Sequence, residues 1–168
     1  MTHNILQAAE SIYSNSPTER EALAHKYVAG VQLATVTTPG GSVTDILSAT
    51  HLGIGGFHRF EAVLNVTAAA TEVGDTLDVF VDCSPDGGTT WINIVHFTQV
   101  LGNGGPLTFL AISDDTTGME ENVTSALAAG AVPRPLLGNA IRVRHTAVDA
   151  NANANAVFAF TVTGSFKH

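Results

Sequence analysis

The sequence predicts an all-β fold: an antiparallel β-sandwich or jelly roll, with a short helix and arm at its N-terminus. Three observations predict it. Apolar residues recur with period two in run after run from residue 31 onward. Turn signals separate those runs at short intervals: "TPGG", "GIGG", "SPDGG", "GNGG", "SDDTTG" and "NANAN". The chain has 168 residues, 45% of them hydrophobic, which suits one domain with a sizeable core. A closed barrel is the competing architecture.

The first thirty residues differ from the rest. Ser16 can cap a helix, Pro17 fits its first position, and Glu19 completes a capping box. Leu23 and Tyr27, and Ala24 and Val28, are spaced as i, i+4 pairs, and Gly30 reads as the stop. A helix is expected over 17–28. Ile5, Ala8, Ala9, Ile12 and Tyr13 also fall at helical spacing, though less regularly. Residues 1–30 are thus read as an arm and helix, and 31–168 as the sandwich.

The strands follow in order. "VQLATVTT" opens the set. In "FEAVLNVTA", Phe60, Ala62, Leu64 and Val66 alternate with Glu61, Val63, Asn65 and Thr67. In "TLDVFVDC", Leu77, Val79, Val81 and Cys83 alternate with Thr76, Asp78, Phe80 and Asp82. "TWINIVHFTQV" and "PLTFLAIS" read as one strand each. "IRVRHTA" sets Ile141, Val143 and His145 against Arg142, Arg144 and Thr146. "VFAFTVTGSF" closes the set with Phe158, Phe160, Val162 and Phe166 inward. One apolar and one polar phase per strand is the pattern of sheets with one wet face. A short helical insert over 119–130 is compatible with "MEENVTSALAAG".

Composition narrows the function. Seven Lys and Arg stand against 15 Asp and Glu, a formal charge of −8, which makes a poor phosphate binder; no nucleic-acid partner is expected. Charged residues are only 13% of the chain, and a surface rich in Thr, Ser, Asn, Gly and Ala suits contact with other proteins. No apolar run of about 18 residues occurs, so no membrane span is expected. "MTHNILQAAESIYSNSPTE" has neither a basic start nor a long apolar core, so synthesis in a reducing cytoplasm is expected.

Chemistry-bearing residues are sparse. The single cysteine, Cys83, falls on the apolar phase beside Val79 and Val81, as a small core residue would. Seven histidines are scattered with no H-x-H or H-E-x-x-H spacing, and no metal or cofactor is expected. "SDDTTGMEEN" is acidic but lacks the D-x-D-x-D spacing of a calcium loop. No nucleophile elbow, phosphate loop or dinucleotide fingerprint occurs, and no enzymatic activity is expected.

Ser84, Asp86, Gly88, Thr90 and Trp91 stand in the order S-x-D-x-G-x-T-W. Pro85 fixes φ at a turn, Asp86 can accept backbone N–H bonds, Gly87 and Gly88 supply positive φ, and Trp91 can lie over the turn. The motif resembles the Asp box of sialidases and other β-propellers. One such box in 168 residues, without an internal repeat, cannot build a propeller of blades of about 40 residues each. In that family the box is a structural turn remote from the catalytic centre, so here too it implies architecture and no chemistry.

A second resemblance covers more than a third of the chain. "LDVFVDCSPDGGTTWINIVHFTQVLGNGG" and "LLGNAIRVRHTAVDANANANAVFAFTVTGSF" are similar to small structural proteins of tailed-bacteriophage virions. The resemblance implies a non-enzymatic virion protein. The first expectation is a capsid decoration (cement) protein that binds and stabilises the head shell, with the major capsid protein or other virion proteins as partners. A neck or tail component, and a carbohydrate-binding or adhesin module, are the alternatives. Val63 and Phe80 are large apolar residues on the polar phase, which marks them as contact residues and predicts a homodimer or homotrimer. Ile5, Ile12 and Tyr13 are expected to contact a neighbouring virion protein from an arm formed by about the first fifteen residues.

Overall fold

The structure is a computed structural model that describes residues 3–4, 28–55, 57, 59–114, 128–129 and 138–167. Eleven strands occur among them: β1 (His3–Asn4), β2 (Val28–Thr37), β3 (Val43–Leu47), β4 (His51–Leu52), β5 (Arg59–Ala68), β6 (Thr76–Ser84), β7 (Ile92–His96), β8 (Val100–Leu101), β9 (Leu107–Asp114), β10 (Ala140–Val148) and β11 (Ala159–Lys167). They form two sheets packed face to face, a β-sandwich.

The first sheet is built around β10 and β6. These pair antiparallel without a bulge from Ala140 opposite Ser84 to Val148 opposite Thr76. β3 and β4 lie along the other side of β10, and β7 and β8 along the other side of β6. The second sheet runs β2-β11-β5-β9, entirely antiparallel, with β2 and β9 at its edges.

The alternation read from the sequence sets the core. Leu77, Val79, Val81 and Cys83 point inward from β6, and Ile141, Val143 and Ala147 from β10. Phe60, Leu64 and Val66 of β5 meet them with Phe160, Val162 and Phe166 of β11. Phe166 packs against Phe60 and Phe57 at centroid distances of 5.1 and 5.6 Å. Gly164 takes an inward position in this layer because Leu33 and Phe60 fill the space above it. A Cβ there would stand 2.9 Å from Leu33 Cδ1. At this site the missing side chain is a packing requirement.

Several expectations need correction. "TWINIVHFTQV" is two strands: its alternation fails at the register shift between Asn93 and Val95, after which Ile94, Val95, His96 and Phe97 are all buried, and pairing resumes at Val100. β3 and β4 carry no period-two signal: β3 is exposed along most of its length and is held by its hydrogen bonds to β10. The second sheet begins at Val28, opposite Phe166, so the sandwich starts before residue 31. Gly30 is not a helix stop; with φ at +69° it sits in β2 where the register with β11 slips. The rest of the expected 17–28 helix, the 119–130 insert apart from Ala128 and Ala129, and contact residues Ile5, Ile12 and Tyr13 lie outside the described residues. His3–Asn4 of the expected arm pairs parallel with His51–Leu52, on its own chain's sheet.

Candidate functional site

Among the described residues, side-chain chemistry gathers at the 84–91 hairpin, on the outer face of the first sheet, on the outer face of the second, and at the 149–155 loop.

The hairpin is a closed hydrogen-bond system. Ser84 Oγ donates to Asp86 Oδ1 at 2.8 Å and accepts the Gly88 N–H at 2.7 Å. The same Asp86 oxygen accepts the N–H groups of Thr89 at 3.0 Å and Thr90 at 2.7 Å. Gly87 and Gly88 have φ of 75° and 110°. Trp91 folds back over the turn and donates from Nε1 to the Gly88 carbonyl at 2.9 Å. The Thr90 N–H, then the Thr90 side chain and the Ser84 hydroxyl, hold the Asp86 carboxyl down to about 2. The box thus closes a turn, and its polar atoms face one another. Trp91 is half-buried, so the loss on its removal is smaller than for a ring in the core. The Asn139 N–H donates to the Ser84 carbonyl at 2.7 Å and fastens the hairpin to the start of β10. Gly138 lies so close to Ser84 that a Cβ would collide with that carbonyl.

On the outer face of the first sheet, strand register brings unlike residues together. Arg142 stands opposite Asp82, and Arg144 opposite Phe80. Asn93 stands opposite Asp82 on the other side, and His96 opposite Phe80. Asp82 is 3% exposed although it lies on the polar phase. It accepts from Arg144 Nε at 3.1 Å, Arg142 Nε at 3.4 Å and Asn93 Nδ2 at 3.1 Å. Arg144 reaches on to Asp45 at 2.6 Å. The guanidinium groups also cover rings: Arg142 lies 3.9 Å from the Trp91 centroid, and Arg144 4.0 Å from that of Phe80. Phe80 stacks on His96 at 4.1 Å, and His96 Nε2 meets Asp78 Oδ1 at 2.9 Å. Phe80, expected as an exposed contact residue, is therefore half-buried between Arg144 and His96. Its sequence phase was read correctly; the long arginine stem that covers it belongs to another strand.

The outer face of the second sheet is different. Val63 pairs with Leu110 and with Thr163, and Asn65 with Thr108 and Thr161. Leu110 is 62% exposed and Ile112 45%; Leu107, on the inward phase opposite Val66, is exposed at the start of β9. Charges gather at one end, where Glu61 binds Arg59 at 2.8 Å and Lys167 at 3.6 Å. β9 is the sheet's edge and pairs with no further strand among the described residues. Val63 is half-buried, in the row that includes Leu110.

Inside, Cys83 is fully buried, and burial pushes its thiol up to about 11, which disfavours the nucleophilic thiolate. His145 projects inward from β10 with its edge toward Phe160 at 5.4 Å. Burial holds its pKa below the usual imidazole range. It lines a cleft of about 450 Å³ between β2 and β3, with Leu33, Val36, Ile46, Leu47 and His51; no Phe, Tyr or Trp lines it among the described residues.

No protein-family model matches the chain, and no curated protein matches it.

Proposed function

We propose that this chain is a non-enzymatic structural protein of a bacteriophage virion, a capsid decoration protein that covers and reinforces the head shell. The observation that carries this reading is the outer face of the second sheet. Leu110 and Ile112 stand exposed on the outer face of an edge strand, beside Val63 and a field of threonines. An edge strand offers backbone donors and acceptors to a partner, and natural edges are usually blunted by charge or proline. Pro106 precedes β9, but no Lys or Arg lies within Leu107–Asp114. A face of hydroxyls and aliphatic groups can be dehydrated at less cost than a charged one. In this reading β9 and its face meet the shell or a second copy, and the protein assembles as a dimer or trimer. The resemblance of "LDVFVDCSPDGGTTW" and "IRVRHTA" to virion proteins supplies the class of partner.

The test is reconstitution. The purified chain is mixed with shells of the parent phage that lack it, and bound copies are counted by quantitative gel. A decoration protein saturates at hundreds of copies per particle and raises the temperature at which shells rupture. Binding at a few copies restricted to one vertex places the chain at the neck or tail. Absence of binding to any virion part overturns the proposal.

A further inference from the structure

We propose that the loop 149–155, together with Glu72, is a binding site for a calcium ion. The sequence there is "DANANAN", with Asp149, Asn151, Asn153 and Asn155 at every second position. Asp149 ties the loop to itself: its Oδ1 accepts the N–H groups of Asn151 and Asn153, and its Oδ2 that of Ala154 at 2.7 Å. Ala152 and Ala154 both have positive φ, +55° and +62°. The tightly coiled backbone brings all three asparagine side chains to one carboxylate. Asn151 Nδ2 lies 2.6 Å from Glu72 Oε1, and Asn153 and Asn155 Nδ2 lie 2.7 and 2.8 Å from Oε2.

An asparagine amide has an oxygen and a nitrogen at nearly equivalent places, exchanged by a half-turn of the side-chain torsion. That half-turn converts three donors facing Glu72 into three oxygens facing it. Three amide oxygens and a bidentate carboxylate make five hard donors, and calcium takes six to eight oxygens with water filling the remainder. Nitrogen and sulfur ligands are absent from this set, which disfavours zinc and copper. Among the described residues no three His, Cys, Asp or Glu side chains converge as a metal cluster, so amides supply most of the oxygens here.

A separate observation is a buried carboxyl oxygen beside the same loop. Asp75 is fully buried at the base of the same loop, where its Oδ1 accepts the Ala150 N–H at 3.0 Å. Its Oδ2 is buried with no hydrogen-bond partner. A carboxyl oxygen in that state is costly unless a cation or a water faces it, and a cation held by the adjoining loop would supply that partner. Asp149 and Glu72 are like charges and repel each other. Arg59, Arg142, Arg144 and Lys167 are engaged elsewhere, with Glu61, Asp82 and Asp45.

The competing reading is a hydrogen-bonded staple that needs no ion. Calorimetric titration of the EDTA-treated full chain with calcium chloride separates the two, with melting curves in calcium and in magnesium at equal ionic strength. One calcium per chain is expected, with a dissociation constant of about 10⁻⁴–10⁻³ M. At about a hundredfold excess over that constant the melting temperature rises by about 5–10 °C; magnesium, which holds its waters more tightly, gives less. Glu72→Gln loses the calcium-dependent rise. Asn153→Asp distinguishes the readings by sign. It melts below the native chain in EDTA, because two carboxylates then face each other, and it binds calcium more tightly than the native chain does. No heat and no calcium-dependent shift in the native chain overturns the proposal, as does binding by Asn153→Asp alone, since the substitution would then have created the site. Either failure leaves the virion reading untouched, because that reading rests on the exposed residues of β9 and not on this loop.

Discussion

The two sheets turn unlike faces to the outside, and the more charged one is the more closed. On the first sheet, Asp82 and Asp45 pair with Arg142 and Arg144, His96 hydrogen-bonds Asp78, and guanidinium groups lie over the Trp91 and Phe80 rings. On the second, threonines, Val63 and Leu110 stand with few partners, and Ile112 is exposed at the edge. Charge is often taken as a sign of a solvated surface. Here the charged face is satisfied internally, so covering it would gain little. The second face carries its charges only at the Glu61 end and exposes apolar area elsewhere, so covering that area would cost little. The first face therefore holds the fold, and the second is available for contact.

The largest loss of stability is expected at Asp82. Asp82→Ala leaves Arg142 and Arg144 facing each other half-buried, and should cost about 3 kcal/mol in urea unfolding, as removal of one partner from a buried ion pair does. A loss below about 0.5 kcal/mol would mean that the network is a solvated surface after all.

Phe80→Ala comes next. It removes a ring held between Arg144 and His96 and should cost about 2 kcal/mol, from lost burial and the lost cation–π contact. Trp91→Ala should cost about the same, since that ring too is half-buried under one guanidinium. The oligomeric state should be unchanged in both variants, which light scattering can check.

Two pH dependences sharpen the contrast between interior and surface. The His145 pKa is lowered in the folded state, so the unfolded chain takes up the proton more readily. Its contribution to stability is present above the unfolded value of about 6.5 and is lost as pH falls below it. His145→Gln should flatten that part of a plot of melting temperature against pH. The Asp86 carboxyl is also lowered, to about 2, so its contribution is present above about 4 and is lost as pH falls toward 2. Asp86→Asn should remove that second, more acidic slope.

The smallest effect on stability belongs to the second face. Leu110→Ser should change unfolding free energy by no more than about 0.5 kcal/mol, because the side chain is mostly exposed. The same substitution should weaken self-association and attachment to shells. Unaltered association in Leu110→Ser, with loss of it in Asp82→Ala at matched stability, would reverse the roles assigned to the two faces.

Strand periodicity alone specifies the sandwich and most of its core. Strict alternation in 60–67, 76–83, 141–146 and 158–166 can bury one phase only if those segments are strands, and their inward residues are those found inside. The S-x-D-x-G-x-T-W turn was legible too, because its hydrogen bonds close within eight residues. Three things were decided by tertiary structure. β3 and β4 exist because β10 offers them an edge, so no local pattern marks them. Asp82 and Phe80 are covered because Arg142 and Arg144, some sixty residues away in sequence, fall opposite and diagonal to them in the register. Asn151, Asn153 and Asn155 meet Glu72 from about eighty residues away. Periodicity reports which side of its own strand a residue takes. What lies over that side is set by strand order and register, which depend on the whole chain packing at once.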